Sequence, residues 1–393
     1  MNFIENIRKR AFNLAEGIIN KVGPRLAGTK SALETADILK NNLAEFADKV
    51  DIEEFYLHKG AFLGWIKILV INYLLGIIFL WFNLPIITLV LTAISILILV
   101  LQFFFYLPLI DFLYPKVKGK NVIGYLEPKA KAEKQIIISG HHDSARIFNF
   151  LYKQPKLYNL RVTGSIVFVL IMLISSIIFL FIDINYLLLI MKVFLSVGII
   201  LIGQMWFFAS KKGTPGAGDN LISSTMALEI ARYFSKNKLN STRIIIASFD
   251  AEEEGLRGSR AYAKKHQKAF YKTPTYLLNA DCMYHLKDIF FLTSDINKTV
   301  KLNEDLANDL VKIADKLGYK TTCKPIEFLT GGTDAGELAK RNVKATTIIA
   351  MPWSNSSRAS IYHTPKDTLD KVEPEAIEAA IDIFINYIKQ KEK

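Results

Sequence analysis

Four long apolar runs constrain the fold of this 393-residue chain more than any other feature of its sequence. They occupy residues 62–82, 85–110, 162–182 and 186–208. Each run is long enough to cross a bilayer, which requires about 20 apolar residues. Four such helices could not all be buried inside one soluble domain of this size. The sequence therefore predicts four transmembrane helices.

Short turns join these helices in pairs, because two residues separate the first two runs and three residues separate the last two. We therefore expect two tight hairpins, each of which returns the chain to the side that it left. The turns contain no Lys or Arg, whereas basic residues lie near the opposite ends of the runs. These residues are Lys59, Lys116, Lys118, Lys120, Arg146, Lys153, Lys156, Arg161, Lys211 and Lys212. The positive-inside rule then predicts a multi-pass cell membrane protein with its polar part in the cytoplasm.

The hairpins divide the chain into five segments. Residues 62–110 and 162–208 form the two hairpins, and residues 1–61, 111–161 and 209–393 together form one polar domain. A hydrophobic fraction of 51% beside 22% charged residues is typical of such a combination. The net charge of +12 suits cytoplasmic loops near anionic lipid. Since no nucleic-acid recognition motif is present, we expect no nucleic-acid partner.

Two local features bear on compartment and packing. The two cysteines, Cys282 and Cys323, exclude a disulfide framework, and we interpret Cys282 as a small buried residue. The first 21 residues lack the apolar core of a signal peptide. Their apolar residues recur at helical spacing, which predicts a helix docked on the polar domain.

Outside the apolar runs, strand-like and helix-like stretches alternate. Strand patterns occupy residues 121–126, 135–139, 242–249, 275–279 and 345–350. Helix patterns occupy residues 31–46, 221–234, 256–270, 301–317, 334–341 and 374–389. Such alternation predicts an α/β fold in which helices flank a mixed, largely parallel sheet.

Acidic and imidazole side chains follow several of the predicted strands. The candidate set is His141, Asp143, Asp219, Glu252, Glu253, Asp281 and His363. In open α/β sheets the ligand crevice lies beyond the carboxyl ends of the strands, so we expect these groups to converge. So many carboxylates lie together only when they are protonated or neutralised. A divalent metal is the simplest neutraliser, and histidine with carboxylate suits zinc, cobalt or manganese.

In their order and local pattern, the motifs resemble those of the zinc aminopeptidases of peptidase family M28, in clan MH. The matching stretches are GPRLAGT (23–29), GHHDS (140–144), PGAGDN (215–220), AEEEGLRGS (251–259), AD (280–281), GTD (332–334) and YHTPKDT (362–368). The resemblance covers nearly all of the chain outside the four apolar runs. It implies a fold of the zinc-exopeptidase type, interrupted by the two hairpins.

The resemblance also implies two Zn²⁺ ions, with Co²⁺ or Mn²⁺ as possible substitutes. Carried over position by position, it assigns His141 and Asp281 to one ion, and Glu253 and His363 to the other. Asp219 would bridge the two ions. The tail GLRGS (255–259) sets the register of the three consecutive glutamates, so that the third, Glu254, is not a ligand.

The implied activity is that of an aminopeptidase acting on peptides with a free N-terminus. A water between the metals would be the nucleophile and Glu252 the general base, while Asp143 would contribute to catalysis by orienting His141. Asp334, Tyr284 and Tyr362 are weaker candidates for substrate contacts, and Asp334 also fits a helix N-cap. The apolar runs make the lipid bilayer a further expected partner, and a homo-oligomer stays open as an alternative.

Two other functions stay open at this point. The same fold hosts glutaminyl cyclisation, usually with one metal, and a non-catalytic membrane receptor or scaffold could retain a peptidase-like domain. Retention of all five ligand positions and of the base favours the two-metal hydrolase. One departure concerns the site itself: Leu221 and Ile222 follow Asp219-Asn220, where the family typically has small residues. We therefore expect a narrower site.

Overall fold

The computed structural model describes residues 3–182, 184–352 and 361–392. Within these residues, nine strands form one central sheet: β1 (Lys49–His58), β2 (Lys116–Leu126), β3 (Lys134–His141), β6 (Thr242–Phe249), β7 (Thr275–Met283), β8 (Ile289–Asp295), β9 (Val300–Lys301), β10 (Thr322–Pro325) and β11 (Lys344–Ala350). Their order is β1-β2-β6-β3-β7-β11-β8-β10, with β9 paired to β8. The four central strands β6, β3, β7 and β11 are mutually parallel, whereas β2 and β8 join them antiparallel. The sheet is therefore mixed and largely parallel, as predicted.

The central strands are continuous apolar runs because helices cover both of their faces. Ile136–Ile138 of β3 and Ile244–Ile246 of β6 are buried within the main hydrophobic core. All five predicted strands are present, and several are longer than their sequence patterns indicated. Strands β1, β8, β9 and β10 go beyond the sequence prediction. Those among them that lie at the sheet margin, such as β1 and β10, have part-exposed side chains and so lack a continuous apolar pattern.

Twelve α-helices are present in the described ranges: α1 (Phe3–Val22), α2 (Lys30–Ala44), α3 (Gly64–Trp81), α4 (Pro85–Ile98), α5 (Asn149–Lys153), α6 (Tyr158–Phe181), α7 (Asn185–Gly203), α8 (Ile222–Lys236), α9 (Arg257–Lys272), α10 (Glu304–Lys316), α11 (Asp334–Ala339) and α12 (Pro374–Glu392). The N-terminal helix α1 docks on α8 and α12 through Ile4, Ile7 and Ile18, as its periodicity predicted. Helix α10 begins later than predicted because Val300–Lys301 is a strand and Asn303 caps the helix.

Four helical segments are long and apolar enough to cross a membrane: Gly64–Trp81, Pro85–Phe104, Pro155–Phe181 and Asn185–Phe207. The second ends earlier than its apolar run, because Tyr106 has a positive φ of 58° and Pro108 follows. The third begins earlier than predicted, with a polar first turn that contains Arg161. In the second connection, residue 183 lies outside the described residues.

The four segments pack against one another as a bundle beside the sheet domain. Close approaches occur at small residues: Gly76 lies against Met172 and Thr88, and Gly198 lies against Phe168. A short two-stranded sheet joins β4 (Arg146–Phe148), which precedes the second hairpin, to β5 (Ala209–Gly213), which follows it. The bundle is thereby attached to the sheet domain at the ends of its helices.

Candidate metal centre

Six ionisable side chains from separate loops meet at the carboxyl edge of the parallel strands. They are His141 at the end of β3, Asp219 in the turn before α8, Glu252 and Glu253 in the turn after β6, Asp281 near the end of β7, and His363 between β11 and α12. Five of these side chains are at least nine-tenths buried, and Glu253 is 15% exposed. The sheet thus brings together residues that are up to 222 positions apart, as the strand-end argument predicted.

Asp219 lies at the centre of this cluster. Its Oδ1 is 3.3 Å from His141 Nε2, and its Oδ2 is 3.2 Å from His363 Nε2. The two oxygens of one carboxylate therefore contact two different imidazoles. His363 Nε2 also lies 3.3 Å from Oε1 of Glu253.

On the other side of Asp219, His141 Nε2 lies 3.8 Å from Asp281 Oδ1 and 3.8 Å from Glu252 Oε2. Two overlapping groups of ligand atoms within 4.8 Å of one another result: His141, Glu252 and Asp281 in one, and His141, Asp219 and Glu253 in the other. Glu252 therefore lies as close to His141 as Asp281 does.

These donors fit zinc. Two ligand atoms on one tetrahedral zinc lie about 3.3 Å apart when the metal–ligand bonds are about 2.0–2.1 Å. Three contacts of the cluster have that spacing. His141 Nε2 and Asp219 Oδ2 are buried, and neither has a hydrogen-bond partner among the described residues. Buried polar atoms without partners are costly, and a bound cation would satisfy both.

The electrostatics of the cluster also call for a cation. Burial raises the pKa of Glu253 to about 7 and raises that of Glu252 well above its usual range. Burial opposes ionisation of Asp219 too, but the adjacent imidazoles of His141 and His363 hold its pKa well below the usual range. The carboxylates therefore resist being ionised together unless positive charge is added.

Asp143 lies next to the cluster and contacts both His141 and the glutamate turn. Its Oδ1 lies 3.3 Å from His141 Nδ1, on the side of the ring away from Asp219. The same carboxylate accepts the backbone N–H groups of Glu252 at 3.1 Å and Glu253 at 3.2 Å. One buried side chain thus orients the imidazole and holds the glutamate turn.

Arg25 ties the loops of the cluster together and received no individual role in the sequence analysis. Its guanidinium is fully buried and donates to the carbonyl oxygens of His142 at 2.8 Å, Pro215 at 2.9 Å and Gly216 at 2.6 Å. These carbonyls belong to the loops that carry His141 and Asp219. The GPRLAGT stretch (23–29) is the sequence signal that could have identified this role.

The glutamate turn brings its first two carboxylates into the cluster and keeps the third outside it. Glu254 lies outside the cluster, where it accepts the Gly60 N–H at 2.8 Å and pairs with Arg146 at 3.3 Å. His142 also faces away, with its Nδ1 2.9 Å from Ser248 Oγ.

A cavity of about 140 Å³ adjoins the cluster. Asp219, Glu252, Glu253, Asp281 and His363 line one side of it. Apolar side chains from the ends of the long helices line the other side, and they were not predicted as site residues. Their contribution depends on contacts between distant segments, which no local pattern in the sequence reveals.

The three weaker candidates fall in different places. Tyr362 lines the cavity and its ring stacks on His363, with centroids 3.9 Å apart. Tyr284 is fully buried against Gly218 and is absent from the described cavity lining, so it packs beneath the Asp219 turn instead. Asp334 is buried as the first residue of α11, and Thr333 occupies both the N-cap and the cavity wall. Tyr284 and Asp334 therefore do not contact the cavity directly.

The structure corrects the expectation of a narrower site and adds a location to that of a buried Cys282. Leu221 and Ile222 are buried in the main hydrophobic core and are absent from the described cavity lining, so they do not narrow the site. Cys282 is buried as expected, but it also lines the cavity. Its Sγ belongs to a group with oxygens of Asp219 and Asp281 within 4.8 Å.

Residues 203–388 match the model of peptidase family M28, which confirms the resemblance over that range. The matched range includes Asp219, the glutamate turn, Asp281 and His363, while His141 and Asp143 precede it. A comparison with curated protein sequences finds no match.

Solved structures share the fold. A Zn-dependent exopeptidase from Parabacteroides distasonis aligns with a TM-score of 0.60 at 16% identity, covering 97% of each chain. A glutaminyl cyclase from Fimbriiglobus ruber aligns with a TM-score of 0.57 at 14% identity, covering 97% of this chain and 94% of the other. A leucine aminopeptidase precursor from Bacteroides thetaiotaomicron aligns with a TM-score of 0.57 at 15% identity, covering 96% and 95%. At such identities the likeness shows a common fold.

Proposed function

We propose that this chain, whose residues 203–388 match peptidase family M28, is a membrane-bound aminopeptidase that uses two zinc ions. The observation that carries the proposal is the position of Asp219, whose two oxygens contact His141 and His363 separately. A carboxylate shared in this way suits a pair of ions rather than one.

In this proposal His141 and Asp281 hold one ion together with Asp219, and Glu253 and His363 hold the other. When bound, the ions supply positive charge that polarises the scissile carbonyl and acidifies the attacking water. The protein keeps the ligands in place through Asp143, which fixes the His141 ring and the glutamate turn.

Glu252 acts as the general base. It lies on the cavity wall beside His141 and Asp281 and is almost completely buried. Its carboxylate accepts a proton from the attacking water and passes it to the amine that leaves the cleaved peptide. Because the turn is fixed by Asp143, the carboxylate stays on the cavity side.

Replacing Glu252 by Gln tests this role, since the amide keeps the shape of the side chain but cannot accept the proton. We expect kcat on aminoacyl arylamides to fall at least about 100-fold, with the zinc content unchanged. Glu127→Gln, at an exposed carboxylate far from the cluster, serves as the matched control. Full activity in the Glu252 variant would refute the base assignment, and loss of zinc would make Glu252 a ligand.

Glutaminyl cyclisation is the second candidate, because glutaminyl cyclases are among the solved structures that share the fold. The two functions differ in metal content and product. The hydrolase should hold two zinc ions per chain and release free amino acids. A single zinc, with release of ammonia from peptides that begin with glutamine, would favour the cyclase.

We further propose that the four long helices cross the bilayer and leave the catalytic domain in the cytoplasm. Large apolar side chains on these helices are exposed, including Ile86, Phe181 and Ile200. Lipid would cover them. A reporter that works only in the cytoplasm should be active when it is fused to the C-terminus. Detection of the C-terminus outside the cell would overturn this orientation.

A further inference from the structure

The wall of the catalytic cavity opposite the ionisable cluster comes mainly from the two hairpins. All four long helical segments contribute to it near their ends. The principal side chains are Trp65, Ile66, Phe103, Val162, Ile166 and Met205. A cavity with charged catalytic groups on one side and an apolar wall on the other is typical of a site for an amphipathic ligand.

The first hairpin is fixed to the glutamate turn at both of its ends. Before the hairpin, Gly60 donates its N–H to Glu254 at 2.8 Å. After it, Asp111 accepts two hydrogen bonds from Arg257, both at 3.1 Å. Glu254 belongs to the turn that carries Glu252, and Arg257 follows that turn. The position of Trp65 relative to Glu252 is therefore set by hydrogen bonds on both sides of the hairpin.

The second hairpin is fixed to the loop of His363. Phe148, just before it, donates its N–H to the His363 carbonyl at 3.0 Å. The Phe148 ring also lies edge-on to the His363 imidazole, with centroids 4.3 Å apart. Phe208, just after the hairpin, packs on Phe148 at 4.5 Å. The two hairpins thus hold the apolar wall at a fixed place relative to the proposed zinc ligands.

Trp65 has a feature that packing alone does not explain. Its side chain is more than nine-tenths buried, and its indole Nε1 has no hydrogen-bond partner among the described residues. A buried indole usually finds an acceptor. Because Trp65 lines the cavity, a carbonyl oxygen of a bound peptide could accept this bond.

We propose that the hairpin wall binds a large apolar side chain at the N-terminus of the substrate peptide, and that Trp65 determines this specificity. The inference rests on the proposed aminopeptidase function. The cavity of about 140 Å³ suits one such side chain, since an apolar cavity of about 150 Å³ admits a benzene-sized group. Helices that anchor the enzyme would then also select its substrate, namely peptides that begin with residues such as Phe or Leu.

The test compares two peptides that differ only in their first residue, Phe or Ala. With the wild-type protein in detergent, we expect kcat/KM to be at least about tenfold higher for the Phe peptide. In Trp65→Ala, kcat/KM for the Phe peptide should fall about tenfold or more, mainly through KM. The fall for the Ala peptide, which loses the indole hydrogen bond but no large apolar contact, should be at least about threefold smaller. Trp81→Ala, at the far end of the same helix α3, is the matched control and should keep the wild-type preference.

A binding measurement tests the apolar hairpin wall separately from the proposed aminopeptidase activity. Analogues in which the first peptide bond is reduced to CH₂–NH cannot be hydrolysed, and their affinities can be measured directly. Tighter binding of the Phe analogue than the Ala analogue, lost in Trp65→Ala only, supports the wall even if no peptide is cleaved. Equal binding of both analogues, or an unchanged preference in Trp65→Ala, overturns the inference. Cleavage of both peptides at equal rates would overturn it while leaving the aminopeptidase proposal intact.

Discussion

Replacing Arg257 by Met tests whether the first hairpin is an integral part of the sheet domain. Arg257 follows the glutamate turn, and its guanidinium bonds both oxygens of Asp111 and the carbonyls of Tyr106 and Gly255 at 3.0–3.1 Å. Arg257 and Asp111 are both buried. Methionine approximates the length of the side chain but removes every donor. Among the described residues, the Asp111 carboxylate then keeps only its bond from Gln102.

The expected loss of stability follows from the burial of Asp111, the partner that remains. Breaking a buried ion pair by removing one member costs about 3–5 kcal/mol, because the other charge stays uncompensated. Unfolding entropy of about 2.1 cal/mol/K per residue gives about 0.8 kcal/mol/K for a chain of this length. We therefore expect Tm to fall by about 4–6 °C.

The assay is thermal unfolding in detergent, followed by fluorescence. Arg243→Met is the matched control, because Arg243 pairs with Glu127 at the surface and such pairs contribute about 0–1 kcal/mol. The double variant Arg257→Met with Asp111→Leu should recover most of the lost stability, since no buried charge is then left alone. A shift as small as that of the control, or no recovery in the double variant, would refute the reasoning.

Two further predictions concern the metal centre and its support. Removing zinc with a chelator should lower Tm by about 5 °C for each bound ion when the original free zinc concentration is about 1,000 times its Kd, and adding zinc back should restore Tm. Asp219→Asn should abolish most of the shift, and an unchanged Tm in the wild type would argue against a metal in the cluster. Arg25→Lys should lower the free energy of unfolding by about 2–4 kcal/mol, because an ammonium cannot reproduce the planar fork that reaches three carbonyls. Arg243→Lys is the control, and equal stability of the two variants in thermal unfolding would contradict this role of Arg25.

Much of the architecture could be predicted from the sequence because its signals are local. The four apolar runs are recognisable from composition within each run, and the central strands from short apolar stretches. The candidate cluster could be predicted because its members follow strands directly, and parallel strands end at a common edge. The boundaries were less exact, since features such as Tyr106 with its positive φ end a helix inside an apolar run.

Local pattern could not decide which neighbours of the motifs reach the cavity. Tyr284 is three residues from Asp281 and Asp334 stands in a matched motif, yet neither lines the cavity, whereas Cys282 does. Strand pleat and helix packing set the direction of each side chain, and both depend on contacts made elsewhere in the chain.

Three features are readable from the residues alone: the four apolar runs, the α/β pattern and the imidazole and carboxylate groups that follow strands. How these parts meet depends on the tertiary structure. It placed the ends of the hairpins against the cluster, through pairs such as Arg257 and Asp111, which are 146 residues apart. Long-range contacts of that kind depend on the folded arrangement of both segments, so neither segment's own sequence specifies them.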